Sequence, residues 1–588
     1  MPYPPIIFIP GLGGSFNLPV LLDWRAPTLS GWSFPPFVDY GQGFVDGCVS
    51  AGYTRDLDLF VGFYDWRKAV EDSARDYLVP WIDRAKSRSG RAKVALVGHS
   101  MGGLLARSYI QSAAYRGDVE SLITLGTPQR GSAEAYYTWE GGELTSGKMA
   151  TTVLNVYLWY LARVHPFATN LNRLQTIRTQ APGIRDLLPI DDYLLSQGPP
   201  PVPVPEAQMH ERNVWGHLLN TPAGMATLLA RAPASTITGA NFTTIDQIVV
   251  GPPAPPETPP RYPDGVPIRD VTGVQGDSTV QLASAQLPAL QPVQNLPPVG
   301  VPHDQLPDQT VGLVLKELNV TAPTLAGAAP TTPKLAIMTA SPVEMTVDVP
   351  ASAPSVLGAP ETIEPPQRRQ RRVRARNYGH RGKRLNLVVV SQPAAGVYPV
   401  RLRGTATGTF ALGALLVDPA GTAVLGAVAP DGGAPSPAEE IPTVRGTVAD
   451  GTELRYQVIV AASGPPEVRF DAEATAQDAL MRMAEAMQLP ASGVLGAEAA
   501  SERPVSAVLS ASAAPAAVRA TLSAGLEEGD PAAQREAAAL IGAERSPDVA
   551  LLLSHVAEAT IGPRDPHLAA ALVQQLRQIA ASKMGLEG

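Results

Sequence analysis

Residues 94–105, Val-Ala-Leu-Val-Gly-His-Ser-Met-Gly-Gly-Leu-Leu, place a serine where it could act as a nucleophile. Gly98-His99-Ser100-Met101-Gly102 has the pattern G-x-S-x-G, which alone is weak because glycine is frequent in this chain. Its surroundings are more specific. Residues 94–97 predict a short buried strand, and residues 104–112 have helical character. Strand, tight turn and helix in that order strain the serine backbone and push its hydroxyl out above the sheet. Gly98 and Gly102 are needed there because a Cβ would collide with the neighbouring strand and helix. Such a serine can attack a carbonyl carbon once a base takes its proton. His99 reads as a packing residue that points away from the attack. An ordinary glycine-rich turn is the competing reading.

The elements that must position Ser100 lie on both sides of it. Ile6-Ile7-Phe8-Ile9 predicts a buried strand that runs into Pro10-Gly11-Leu12-Gly13-Gly14-Ser15. As an oxyanion loop, this segment would aim the Leu12 N–H, together with the Met101 N–H, at the oxygen of an attacked carbonyl. The bland alternative is a tight turn. The glycine spacing does not fit a dinucleotide loop. Residues 57–63 predict another strand, ending in Tyr64-Asp65-Trp66-Arg67. Val70, Ala74, Tyr77, Trp81 and Ala85 then line one face of a helix over 69–88, which Pro80 should kink or split. Residues 122–125 predict a strand closed by Gly126-Thr127-Pro128. Strands alternating with helices indicate a parallel α/β sheet.

These four segments, 10–15, 64–67, 98–103 and 125–128, together resemble the α/β-hydrolase superfamily. More narrowly they resemble its lecithin:cholesterol acyltransferase-like branch, bacterial lipases and GPI inositol deacylases. The resemblance covers about the first 320 residues and is strongest at the turn around Ser100. It implies an α/β-hydrolase fold with a helical cap. Val274-Gln275-Gly276-Asp277-Ser278-Thr279-Val280 resembles the family's acid loop, which makes Asp277 the acid, with Asp264 and Asp270 as rivals. The family order is nucleophile, acid, histidine. After Asp277 the chain holds only His303, His380, His555 and His567, and the last three fall in later domains, so His303 is the expected base. Pro302 before it and Asp304 after it depart from the family pattern. The resemblance thus implies a Ser100, Asp277, His303 triad, an acyl-enzyme, and a serine lipase, esterase or O-acyltransferase. It implies no cofactor and no metal.

Residues 132–232 interrupt the α/β rhythm and read as a cap or lid. Its residues 153–161 are apolar on nearly all sides, as in a helix that is buried or faces lipid. A plain core helix is the alternative. His165, His210 and His217 fall in this region and read as surface or cap histidines. Residues 311–318 predict the closing helix of the domain.

The 588-residue length suggests two to four domains. The expected divisions are a catalytic domain at 1–322, a β-sandwich at 323–470 and an α-helical region at 471–588. A net charge of −8 argues against nucleic acid as the main partner. Cys48 is the single cysteine, so no intrachain disulfide or cysteine-rich metal site can form. No secretory leader is visible and no run reaches the ~18 apolar residues of a membrane span. A cytoplasmic location is the expectation, or a secreted or surface one if the N-terminus was trimmed. Residues 368–384 carry nine Lys and Arg, a solvated loop or a peripheral contact for anionic lipid. Two further functional classes stay open: a non-catalytic scaffold on this fold, and an amidase or peptidase.

Overall fold

The computed structural model describes residues 3–23, 26–144, 148–165, 173–256, 258–288, 293–320, 331–360, 370–380, 382–424 and 441–471. Six short segments form one sheet: β1 (Ile6–Ile9), β2 (Leu59–Val61), β3 (Val94–His99), β4 (Val119–Leu125), β5 (Ala234–Ile237) and β6 (Val293–Asn295). Their order is β6-β5-β4-β3-β1-β2 and every pair is parallel. β1 and β3 are buried at every residue, as strands covered on both faces must be. The helices that matter here are α1 (Gln42–Ser50), α2 (Val79–Ser89), α3 (Met101–Gln111), α4 (Glu134–Gly141), α5 (Met149–Val164) and α6 (Val311–Glu317). Phe44, Val45 and Cys48 of α1 and Val311, Val314 and Leu315 of α6 pack with Ile6, Phe8 and Val97 of the sheet. The parallel α/β sheet expected from the strand–helix rhythm is therefore present.

The helix expected over 69–88 runs from Val70 to Ser89 and is not broken at Pro80. A π turn over Ala74–Leu78 precedes the proline. Pro80 has no N–H to give to the preceding turn, and the wider turn absorbs that mismatch without ending the helix.

Tyr64-Asp65-Trp66-Arg67 fastens the chain that follows β1. Arg67 and Asp65 form a 2.7 Å ion pair in which both side chains are at most 2% exposed. The Arg67 guanidinium also donates to the Val20 and Asp23 carbonyls, and Trp66 Nε1 donates to the Ser15 carbonyl. In the region read as a cap, α5 buries Val153, Leu154, Val156, Tyr157, Leu158, Trp159, Tyr160 and Leu161. A second sheet, of the strands Pro203–Val204, Leu194–Ser196, Thr244–Val250 and Pro267–Gly273, lies outside the sequence expectation.

The chain divides into two compact units, Met1–Lys334 with Leu416–Glu440, and Leu335–Leu415 with the chain from Ile441 on. At the start of the second unit the chain forms the strands Lys334–Ala340 and Val343–Pro350. Val343–Pro350 alternates buried and half-buried residues and pairs antiparallel with Gln370–Arg374 and Gly396–Gly404. The helical expectation for 471–588 lies outside the described residues, apart from Asp471. No described helix is long and apolar enough to cross a membrane.

The Asp65–Arg67 pair makes a direct prediction. Asp65→Asn leaves a buried guanidinium without its carboxylate and should cost about 3–5 kcal/mol of stability. A denaturant titration of the variant beside the wild type measures it.

Candidate active site

Ser100 sits between β3 and α3 with φ 51° and ψ −127°, a strained conformation for a side-chain-bearing residue. Its N–H donates to the Leu125 carbonyl at 2.9 Å, which ties the turn to the end of β4. A Cβ on Gly98 would lie 2.5 Å from the Gly103 backbone, and one on Gly102 would run into the Ile9 carbonyl of β1. Gly103 is equally constrained, against Thr127 of the Gly-Thr-Pro turn. Among the described residues the Ser100 hydroxyl has no hydrogen-bond partner, and it lines a pocket together with His303, Gly11 and Leu12. In ligand-free sites such bonds commonly tighten only when substrate arrives.

His303 and Asp277 meet behind that pocket. Asp277 Oδ2 stands 2.8 Å from His303 Nδ1, and the two side chains are 1% and 5% exposed. Asp277 Oδ1 accepts the N–H groups of Thr279 and Val280, so both carboxylate oxygens are engaged. The His303 N–H in turn donates to the Asp277 carbonyl at 2.7 Å. Gly126 makes the pairing possible: it has φ +52° and a Cβ there would lie 2.7 Å from Asp277 Oδ2. The rivals are engaged elsewhere. Asp264 accepts the His210 N–H and Asp270 accepts the Tyr137 hydroxyl. Burial disfavours the His303 imidazolium, but the Asp277 charge and hydrogen bond more than offset it, and the pKa is raised above the ordinary histidine value.

The loop after β1 closes the opposite side. A Cβ on Gly11 would lie 2.8 Å from Ser100 Cβ, so the loop passes directly against the serine. Among the described residues neither the Leu12 nor the Met101 N–H has a protein acceptor.

His99 does more than the packing expected of it. Its Nε2 stands 2.9 Å from the His303 carbonyl oxygen, and its Nδ1 stands 2.8 Å from the Tyr40 hydroxyl. A carbonyl can only accept, so Nε2 carries the proton and Nδ1 accepts from Tyr40. Tyr40 Oη then accepts the Gly11 N–H at 2.9 Å. The result is a directional chain, Gly11 to Tyr40 to His99 to His303, that joins the loop after β1 to the histidine loop. Burial first, and then the neighbouring His303, push the His99 pKa well down, which keeps the ring neutral.

Three further polar groups line the pocket, of which Glu134 and Lys148 had no signal in the sequence. Glu134 of α4 and Lys148 line it as an ion pair, and Asp304 lines it beside His303. Asp304 Oδ2 accepts the Met149 N–H at 3.0 Å and so caps the first turn of α5. That contact gives a role to the residue whose place after the histidine departs from the family pattern. His165 contacts the Leu22 carbonyl and His217 faces Glu206, away from the pocket lining. His165 is buried within the cap region and is not a surface histidine.

Comparison with known proteins supports the resemblance. Residues 39–163 match the family model for lecithin:cholesterol acyltransferase. A triacylglycerol lipase of Pseudarthrobacter phenanthrenivorans is 26% identical over 154 residues, which is 26% of this chain and 42% of that one. A human lysosomal phospholipase A and acyltransferase is 27% identical over 140 residues, 23% of this chain and 32% of that one. The chain thus spans less than half the length of these relatives. Among solved structures, the mature form of a Bacillus licheniformis lipase aligns with a TM-score of 0.29 at 16% identity, covering 54% of this chain and 92% of that one. The chain is similar to the lipase and lecithin:cholesterol acyltransferase-like branch of the α/β-hydrolases.

The electrostatics of the pair predict a titration. The His303 ring should lose its proton above pH 6.5, the ordinary histidine value. Asp277→Asn removes the attraction and leaves burial, so the pKa should fall below that value. NMR titration of the imidazole signals, assigned with a His303 variant, reads both.

Proposed function

We propose that the chain is a serine hydrolase or O-acyltransferase acting on a lipid or long-chain ester. The observation that carries this reading is that Ser100, Leu12 and His303, the last paired with Asp277, line one pocket. In the reaction, His303 Nε2 takes the proton of Ser100 Oγ while Asp277 holds the ring and stabilises the imidazolium. The serine oxygen attacks the ester carbonyl, and the Leu12 and Met101 N–H groups receive the negative charge that develops on its oxygen. His303 then gives its proton to the departing alcohol and an acyl-serine remains. Water or a second alcohol, activated by the same histidine, removes the acyl group.

The cap is part of the proposal. Ala135, Thr138, Met149, Ala150, Leu154, Ile184 and Leu187 from residues 132–232 line the pocket and give it an apolar wall suited to an acyl chain. The name of the human relative, a phospholipase and acyltransferase, supports leaving the acceptor as water or alcohol. The antiparallel pairing of Val343–Pro350 with Gln370–Arg374 and Gly396–Gly404 supports a β-sandwich in the second unit. Its basic run is a weaker candidate for anionic lipid than its composition suggests. Arg372 pairs with Asp348, and Arg374 and Arg384 with Glu344, so part of the charge is neutralised within the unit.

Two measurements test the reading. Hydrolysis of p-nitrophenyl esters should rise with acyl length, and Ser100→Ala should lower kcat by about 10³-fold or more with the fold intact. Equal turnover in that variant, or no labelling of the wild type by a fluorophosphonate, would favour a scaffold instead. Tyr40→Phe cuts the chain between Gly11 and His99. It should lower kcat by about tenfold or more with KM little changed, because it displaces groups that act on the transition state.

A further inference from the structure

Glu134 and Lys148 are out of place in a pocket otherwise shaped for an acyl chain. The two stand 3.3 Å apart, and each side chain is about one-sixth exposed. Lys148 Nζ is also bonded to the Ser278 carbonyl, one residue from Asp277. Lys148 is the one partner that the described residues offer Glu134. The rest of the carboxylate faces a pocket that it shares with Ser100 and His303. An ion pair largely withdrawn from water costs desolvation free energy and is not a stabilising device by default. No step of ester cleavage described above uses it.

We propose that Glu134, held by Lys148, is the acceptor for a hydroxyl group on the alcohol part of the substrate, so that the pocket selects esters of polyols over esters of plain alcohols. This deepens the hydrolase reading and rests on it.

The charge balance decides the chemical class. A cationic headgroup would approach Lys148, and an anionic one would approach Glu134. A neutral hydroxyl adds no charge to the pocket and supplies the carboxylate with a second donor beside Lys148. A plain alkyl alcohol of the same length would expel water from Glu134 and leave it short of a partner. Sites built to bond a substrate hydroxyl discriminate strongly against analogues without one for this reason. The Glu134 pKa fits a group held at the edge of ionisation. Burial, with a smaller contribution from Asp277, outweighs the opposing pull of Lys148 and His303 and leaves it raised to about 7.

The test compares two esters of one acyl chain, glyceryl octanoate and propyl octanoate, with the full-length protein. The wild type should favour the glyceryl ester by about tenfold or more in kcat/KM. Glu134→Leu should bring the ratio close to one, and Glu134→Gln, which keeps an acceptor oxygen in the same shape, should keep part of the preference. If the leucine variant does not fold, the glutamine variant decides, because its ratio should fall between the wild-type value and one. An unchanged ratio in either folded variant, or a preference for choline octanoate over the glyceryl ester, overturns the inference while leaving the hydrolase reading intact. Absence of turnover of every ester by the wild type overturns the hydrolase reading and the inference with it.

Discussion

Close approach of backbone to backbone at the carboxyl end of β3 is the constraint on which the site depends. Gly98 faces Gly103, Gly102 faces the Ile9 carbonyl, and Gly103 faces Thr127. Each glycine removes a Cβ that would push α3 away from the sheet. With α3 seated, Ser100 is forced to φ 51° and its N–H is taken by Leu125. The strain at one residue is offset by the packing of the strands around it, which are buried throughout. Gly126 extends the same logic to Asp277 and His303, which meet in the space that its missing Cβ leaves.

The second feature is how loops distant in sequence are held in register. The histidine loop is fixed from two sides, by Asp277 through side chain and backbone and by His99 at its carbonyl. Two imidazoles lie with centroids 4.7 Å apart, tilted by 45°, and burial disfavours a charge on both. Only His303 has a carboxylate to reverse that effect. The asymmetry keeps His99 neutral, so it does not repel the positive charge that His303 acquires when it takes a proton. Tyr40 then passes the alignment on to Gly11, and so to the loop that carries Leu12.

Helix α5 is tied to the same loop. Asp304 accepts the first N–H of α5, where an acidic group also complements the positive end of the helix. The positions of α5 and of the histidine are thereby linked through two adjacent residues. The all-round apolar character of α5 follows from its burial, with Trp66 packing edge-on against Tyr157 at 5.5 Å. An apolar helix, the capping aspartate and one ion pair together give the pocket both its greasy wall and its few polar anchors.

Local sequence by itself determined the parallel sheet, the turn that carries Ser100 and the need for glycine around it. Those features rest on short-range periodicity and on backbone sterics, which a contiguous segment expresses in full. Resemblance to a family added Asp277 and His303 to that list, and the described residues bring the two within hydrogen-bonding distance. Tertiary structure alone decided the rest. Nothing near Tyr40, His99, Glu134 or Lys148 announces its partner, because each meets it across a loop or across tens to hundreds of residues. Arg107 is the plainest case: it is an ordinary helix residue in sequence, yet it is fully buried and held by Gln129, Asn220 and the Leu219 carbonyl. Its pKa falls to about 9 because burial acts with no carboxylate to oppose it. The basic run at 368–384 shows the converse, since composition counts its charges but only the strand register shows which of them Asp348 and Glu344 neutralise. Charge and hydrogen bonding act through space, and the distances that govern them exist only once the chain has folded.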